Sequence, residues 1–230
     1  MSSPEQKPLR TFGRRAGRPL SAKQQNLIEN LLPKLAVPMS KPGALNPRTL
    51  FSGVEEVWLE IGFGGGEHLT AQATKHPDVG FIGCEPFVDG MAKALTGIEA
   101  EGLANVRLHM DDARDALGRL SPGCLSRVFI LFPDPWPKRR QQKRRLLQPA
   151  FLEALSRVLS DGARIRFATD VRSYADDALC VFLKDGRFEW AAAQASDWRH
   201  APEDHIQTRY EAKRLGDIDP VWFDFVFKAG

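Results

Sequence analysis

The sequence is poor in cysteine and lacks any apolar run long enough to cross a membrane. Its three cysteines, Cys84, Cys124 and Cys180, form no CxxC pair, which argues against a zinc site or a disulfide framework. The five histidines show no metal-ligand spacing. No apolar run approaches the roughly 20 residues of a membrane span, and the first residues lack the apolar core of a signal peptide. We therefore expect a cytoplasmic protein without a membrane segment or a bound metal.

Positive charge is concentrated in two segments of the chain. The net charge is only +3, yet residues 1–18 contain five basic side chains and residues 138–145 contain six. Outside these segments, acidic side chains outnumber basic ones. Such a distribution favours a polyanionic partner. Nothing in the sequence indicates a homo-oligomer.

Composition and pattern divide the chain into three parts. Residues 1–20 are basic and rich in proline and glycine, which predicts a disordered arm. Residues 21–53 are predicted to form a short helix followed by a connector. Residues 54–230 show no internal repeat and no sign of a second core, and we expect one domain there.

Within this domain, short β-type segments alternate with helical ones. Strands are predicted at 55–61, 79–84, 105–110, 126–132 and 163–168, and helices at about 66–76, 87–101, 112–120, 149–159 and 171–184. This alternation predicts an α/β fold with a mostly parallel, doubly wound sheet. The apolar segment Val221–Phe227 is predicted to add an antiparallel strand at the C-terminal edge of the sheet.

The first predicted strand ends in a glycine-rich turn, Glu60-Ile61-Gly62-Phe63-Gly64-Gly65-Gly66-Glu67. A dinucleotide fingerprint beginning at Gly62 would need glycine at position 67, where Glu67 stands. An acid there would also repel a pyrophosphate at the helix N-terminus. A cationic cofactor without phosphate fits better. The pattern resembles the first motif of S-adenosylmethionine-dependent methyltransferases.

Two more acids follow neighbouring strands. Glu85 ends the second strand, where its carboxylate could accept hydrogen bonds from both ribose hydroxyls. Asp112 follows the third strand and could accept one from the adenine amino group, although Asp111 is an almost equal candidate. The alternative role for each acid is helix capping or a first-turn charge.

The most informative motif follows the fourth strand: Phe132-Pro133-Asp134-Pro135-Trp136-Pro137-Lys138, continued by a basic run to Arg145. Prolines restrict the backbone around a single acid, an aromatic ring can stack on a base, and cations can bind phosphates. This combination indicates chemistry on a nucleobase. The alternative is a structural turn followed by a solvated charge run.

With Thr208-Arg209-Tyr210-Glu211, these motifs resemble the bacterial tRNA (guanine-N7)-methyltransferases in content and order. The resemblance implies a Rossmann-like class I methyltransferase fold and methyl transfer from S-adenosylmethionine to N7 of a variable-loop guanosine (position 46) of tRNA. It also implies a catalytic Asp134 and two sets of binding residues. The cofactor set is Glu60, Gly62, Gly64, Glu85, Asp112 and Asp134, and the substrate set is Lys138, Asp170, Thr208, Arg209, Tyr210 and Glu211. Family members often carry histidine where Gln141 and Gln142 stand, so a role for that histidine does not transfer.

The implied chemistry suits these residues. Guanine N7 carries a lone pair and no proton, so its attack on a methyl group needs no general base, and a fixed carboxylate at Asp134 can stabilise the developing cation. Trp136 is predicted either to flank the base or to pack the loop. Glu211 is predicted to accept from the guanine N1–H and 2-amino group, with a surface ion pair to Lys213 or Arg214 as its alternative. Helix capping is the alternative for Asp170.

Three other classes of protein fit less well. A small-molecule or protein methyltransferase has no use for two basic segments. A nicotinamide dehydrogenase leaves the Pro-Asp-Pro-Trp motif unexplained. A non-catalytic RNA-binding protein does not need acids at three strand ends.

Overall fold

The computed structural model describes residues 15, 17, 19–40 and 43–230. The predicted disordered arm over residues 1–20 therefore lies largely outside the described residues. Two helices, α1 (Ala22–Asn30) and α2 (Leu32–Leu35), and a 3₁₀ turn (Pro47–Leu50) precede the first strand. Ser21 begins α1 with a reciprocal capping box to Gln24, which confirms the predicted helix start.

A seven-stranded sheet forms the centre of the molecule. Its strands lie in the order β3-β2-β1-β4-β5-β7-β6. They are β1 (Glu56–Ile61), β2 (Val79–Cys84), β3 (Val106–His109), β4 (Leu125–Leu131), β5 (Leu159–Thr169), β6 (Phe188–Trp190) and β7 (Val221–Phe227). The first five strands pair in parallel, and β7 is antiparallel to both β5 and β6. The predicted α/β sheet and its antiparallel C-terminal strand are confirmed. The sequence missed the three-residue β6, which lies outside β7 at the edge.

Helices cover both faces of this sheet. They are α3 (Glu67–Lys75), α4 (Val88–Glu101), α5 (Ala113–Arg119), α6 (Pro149–Val158), α7 (Arg172–Asp185) and α8 (Ser196–Arg199). Apolar residues of α1, α3 and α4 are buried on one face, and those of α5, α6 and α7 on the other. This arrangement is the doubly wound architecture that the strand–helix alternation predicted.

The residues before β1 pack onto the domain. Leu27 of α1 is buried in the same cluster as Met91 and Leu95 of α4. The connector then pairs with β3, since the Val37 amide donates to the Leu108 carbonyl at 2.9 Å. The connector is therefore attached to the domain at a few buried residues, among them Leu35, Val37 and Leu45.

Strand order reverses between β1 and β4, which are neighbours although β2 and β3 separate them in sequence. The turns that follow these strands diverge at this point and leave a crevice at the carboxyl edge of the sheet. The glycine-rich turn after β1 and the Pro-Asp-Pro-Trp loop after β4 therefore face each other across the crevice.

Candidate active site

The turn after β1 brings backbone, rather than side chains, to the crevice. Gly62 and Gly64 adopt positive φ angles of 74° and 56°, which glycine alone accepts without strain. Helix α4 packs tightly against this turn. A Cβ atom at Gly90 of α4 would collide with the Gly64 carbonyl oxygen, so the close contact requires glycine there. Small residues at these positions form a cradle that a side chain would fill.

Glu60 lies at the end of β1, buried beneath the turn. Its carboxylate accepts a hydrogen bond from Nδ1 of the buried His68, at 2.8 Å. Gln72 lies near the other ring nitrogen and donates to the Asp204 carbonyl oxygen at 2.7 Å. Glu60 also lines the crevice. The sequence predicted Glu60 as a cofactor ligand but gave no indication that His68 orients it.

Glu85 ties together the two backbone segments beside it. Its Oε2 accepts from the Gly64 amide at 2.8 Å, and its Oε1 accepts from the Phe87 amide at 2.9 Å. Burial raises the pKa of Glu85 against the lowering effect of these amides, and the negative charges of Asp134 and Glu60 add to the rise. Each carboxylate oxygen retains a second lone pair for a hydroxyl donor, so the ribose contact stays a prediction.

Asp112 serves as the N-cap of α5. Its Oδ1 accepts from the Arg114 amide at 2.9 Å, and the Arg114 guanidinium pairs with its Oδ2. Asp111 contacts the Arg15 guanidinium at 2.9 Å and caps the Asp112 amide. Both acids line the crevice. The capping alternative is thus correct for Asp112, and the adenine contact remains a prediction for either acid.

Asp134 lies on the opposite wall of the crevice, in a loop with an unusual backbone. Phe132 and Trp136 bracket it with positive φ angles of 50° and 43°, a conformation that costs non-glycine residues energy. Solvent reaches the Asp134 carboxylate through the crevice, but the protein packed around it raises its pKa by desolvation. The Arg144 guanidinium lies 5.1 Å from the centre of the Trp136 ring. One face of the Trp136 ring therefore packs against Arg144, and stacking of the ring on a base stays a prediction.

Residues 208–211 form a reciprocal cap rather than an open loop. Glu211 Oε2 accepts from the Thr208 amide at 2.8 Å, and Thr208 Oγ1 accepts from the Glu211 amide at 3.3 Å. His205 Nε2 donates to Glu211 Oε1 at 2.8 Å. Although burial opposes it, these hydrogen bonds hold the pKa of Glu211 below its usual value. The predicted alternative, an ion pair with Lys213 or Arg214, is not what the carboxylate does.

The other substrate-set residues lie on both sides of this cap. Arg209 pairs with Glu67 of the glycine-rich turn at 2.7 Å, which joins the two motifs. The Tyr210 hydroxyl lies 3.4 Å from Asp170 Oδ1. The capping role considered for Asp170 is wrong, because Asp217 accepts from the Arg172 amide at the start of α7. Lys138 is exposed at the far end of the Asp134 loop and is absent from the crevice wall.

The basic run divides into two kinds of side chain. Arg139 and Arg140 are exposed in a 3₁₀ helix (Arg139–Arg144), as expected for phosphate-binding residues, and so is Lys143. Arg145 is almost completely buried, with 1% of its side chain exposed. The prediction that the cations of this run bind phosphates is therefore wrong for Arg145.

These elements enclose a cavity of about 880 Å³, within the range of small-molecule sites. Six carboxylates line it: Glu60, Glu67, Glu85, Asp111, Asp112 and Asp134. Five basic side chains line it as well: Lys93, Arg114, Arg144, Arg209 and Lys213. A nucleoside with a positively charged sulfur fits the strand-end acids and the glycine cradle. S-adenosylmethionine therefore suits the residues present. Among the described residues, His, Cys, Asp and Glu form no cluster that could hold a metal ion, and no helix is long and apolar enough to cross a membrane.

Comparison with known proteins decides the family. The model of a family described as putative methyltransferases matches residues 54–222. A tRNA (guanine-N(7)-)-methyltransferase of Hyphomonas neptunium is 58% identical over 217 residues, which cover 94% of this chain and 99% of the relative. A relative of the same name from Caulobacter sp. (strain K31) is 52% identical and covers 98% of this chain and 99% of its own length. The chain belongs to the tRNA (guanine-N7)-methyltransferase family.

Solved structures confirm the class I methyltransferase fold expected for this family. The 16S rRNA methyltransferase KamB superimposes with a TM-score of 0.59 at 17% identity, over 84% of this chain and 99% of that one. A 16S rRNA (adenine(1408)-N(1))-methyltransferase from Catenulisporales acidiphilia gives 0.54 at 19% identity, over 82% and 96%. At these identities the similarity concerns the fold alone.

Three polar residues of this methyltransferase were missed by sequence reasoning. His68 and His205 each contact an acid of a predicted binding set, and Arg145 contacts the Asp134 loop. No sequence motif identified the two histidines as partners of these acids. The Thr-x-x-Glu spacing of 208–211, by contrast, is a known signature of reciprocal capping and could have been recognised.

Proposed function

We propose that the enzyme transfers the methyl group of S-adenosylmethionine to N7 of a variable-loop guanosine, position 46, in tRNA. The observation that carries this proposal is the position of Asp134. It faces a carboxylate-lined cavity across the switch point of the sheet, in a chain whose relatives are named tRNA (guanine-N(7)-)-methyltransferases. A tRNA substrate places the enzyme in the cytoplasm.

Bound S-adenosylmethionine supplies a methyl group on a positively charged sulfur. Gly62 and Gly64 let the backbone approach the cofactor, Glu85 accepts from the ribose hydroxyls, and Asp112 accepts from the adenine amino group. Glu60, oriented by His68, holds the amino-acid end. The positions of these residues around the cavity and the resemblance to the family support these roles.

Asp134 acts electrostatically. Since guanine N7 has no proton to lose, the reaction requires alignment and stabilisation of the positive charge that moves onto the purine. A carboxylate on a rigid loop supplies both without rearrangement. Lys138, Asp170 and the segment from Thr208 to Glu211 hold the target nucleoside, and the exposed cations of the basic run bind phosphates.

Labelled cofactor and tRNA test this assignment. The protein is incubated with an unmodified tRNA transcript and methyl-labelled S-adenosylmethionine, and the digested nucleosides are identified by mass spectrometry. We expect 7-methylguanosine, and none from a matched transcript with adenosine at the target position. Label in another nucleoside, or cofactor binding without tRNA methylation, would contradict the proposal.

A further inference from the structure

Arg145 occupies a site unlike that of any other cation in the basic run. Its Nε donates to the Pro135 carbonyl oxygen at 2.8 Å. On the opposite side, its terminal nitrogens donate to the carbonyl and hydroxyl oxygens of Ser173, both at 2.8 Å, and pair with the Asp177 carboxylate. The guanidinium also lies 4.8 Å from the centre of the Tyr174 ring. Arg145 thus joins the residue next to Asp134 to the first turns of α7.

These contacts account for the burial of the charge. An unpaired cation would be costly in this position, whereas a planar guanidinium with four hydrogen bonds, one of them to a carboxylate, is compensated. With 1% of its side chain exposed, Arg145 cannot reach a tRNA phosphate without leaving this site. Phosphate binding therefore does not explain why arginine stands here.

The Asp134 loop needs such support, because its backbone is strained at both ends. Phe132 and Trp136 have positive φ angles, and conformations of this kind persist where surrounding contacts enforce them. At the first end, the Phe132 amide donates to the Ala168 carbonyl oxygen of β5 at 2.8 Å. At the second end, Arg145 holds the Pro135 carbonyl.

We propose that Arg145 is a positioning residue for methyl transfer: its guanidinium fixes the Pro135 carbonyl, and with it the Asp134 carboxylate, against α7. The proposal rests on the function proposed above and assigns Arg145 to the chemical step rather than to tRNA binding. Lysine cannot replace it, because a single ammonium group cannot span Pro135, Ser173 and Asp177 in one plane.

The test separates the chemical step from binding. Arg145→Lys is compared with Arg140→Ala, an exposed member of the same run, and with Lys184→Ala, an exposed change on α7. Single-turnover rate constants at saturating tRNA and cofactor, tRNA affinity across a salt series, and cofactor affinity are measured for each. We expect Arg145→Lys to slow the single-turnover step by about 10- to 100-fold, as small misplacements of catalytic groups do. Its salt slope and cofactor affinity should match those of Lys184→Ala.

Arg140→Ala should show the opposite pattern, with weaker tRNA binding and a flatter salt slope. A second variant, Ser173→Ala, removes only the hydroxyl acceptor and should slow the same step to a smaller extent, so a misfolded Arg145 variant does not end the test. Free guanidinium, with potassium chloride as the ionic control, should restore part of the rate of Arg145→Ala.

Wild-type single-turnover rates in folded Arg145→Lys and Ser173→Ala would overturn the proposal, as would an Arg145→Lys profile identical to that of Arg140→Ala. The wild-type reaction in the same assay must yield 7-methylguanosine. Its failure would refute the proposed function itself, whereas a normal wild-type reaction with an unaltered variant would refute only the role of Arg145.

Discussion

At the scale of single residues, Asp134 combines a predicted catalytic role with a raised pKa. Desolvation raises its pKa, so its charged form destabilises the folded protein. Replacement by asparagine keeps the shape of the side chain and removes that charge. The same change should therefore affect turnover and stability in opposite directions.

We predict that Asp134→Asn removes about 2–4 kcal/mol of transition-state stabilisation and so slows turnover. Cofactor affinity should stay nearly intact. Wild-type activity should fall with decreasing pH at values above the usual aspartate range, because the carboxylate must be ionised. Steady-state kinetics and calorimetry over a pH series check both points. Near wild-type turnover in the folded variant would rule out an electrostatic role.

The stability of Asp134→Asn has a defined sign. A raised carboxyl pKa in the folded state means that the associated stability is present at low pH and lost as the pH rises through that value. The asparagine variant should therefore melt at a higher temperature than wild type at neutral pH, and the difference should vanish in acid. Thermal melts from acid to neutral pH measure this, and a lower melting temperature at neutral pH would contradict it.

Glu85 is predicted to carry the ribose contact, and its removal also frees two backbone amides. Glu85→Ala should weaken S-adenosylmethionine binding by about 1–3 kcal/mol. Glu85→Gln is the matched control, since it retains one acceptor and should lose less. Calorimetry with each folded variant decides the matter. Unchanged affinity in Glu85→Ala would move the ribose contact to another residue.

At the scale of elements, the segment from His205 to Glu211 has a predicted role in substrate recognition and an observed role in capping its own backbone. The Glu211 carboxylate is predicted to accept from guanine, yet it already accepts from His205 and the Thr208 amide. Glu211→Gln should reduce methylation and leave the salt slope unchanged, because it alters an acceptor and no phosphate contact. A change in the slope would show that the segment also contributes to phosphate binding.

A tRNA with inosine at the target position distinguishes the two roles of Glu211, since inosine lacks the 2-amino group. If Glu211 accepts from that group, inosine should slow the wild type but slow Glu211→Gln no further. If the carboxylate only caps residues 208–211, both enzymes should respond to inosine equally. Thr208→Ser, which keeps the hydroxyl, and Thr208→Val, which loses it, test the cap independently.

At the scale of the whole molecule, the exposed cations of the basic run lie beside an acidic body. Each phosphate that they neutralise should add about −0.7 to −0.9 to the slope of log affinity against log salt concentration. Replacing Arg139, Arg140 and Lys143 with alanine should flatten this slope and weaken binding to tRNAs of any sequence. Binding titrations across a salt series check this. A wild-type slope would show that the run is only a solvated surface.

Much of the fold followed from local sequence patterns. Alternation of apolar segments with amphipathic ones depends on the backbone periods of 2 and 3.6 residues, so most parallel strands and their helices were predicted close to their observed bounds. The exception is β5, which begins at Leu159, four residues before its predicted start. The three residues of β6 were missed because a strand that short has almost no period of its own. It forms because β7 offers it a partner.

The features of the candidate site also divide into those that the sequence predicted and those that only the tertiary structure revealed. The sequence by itself determined the family, the strand-end acids and the Asp134 loop, because motifs are contiguous and strand ends of a parallel sheet meet at one edge. Only the tertiary structure decided that Arg145 turns inward and that His68 and His205 each hold a carboxylate. The physical reason is that the sequence does not show which residue a charged or polar side chain will contact. Whether it faces solvent or is buried depends on which distant segments the sheet brings beside it.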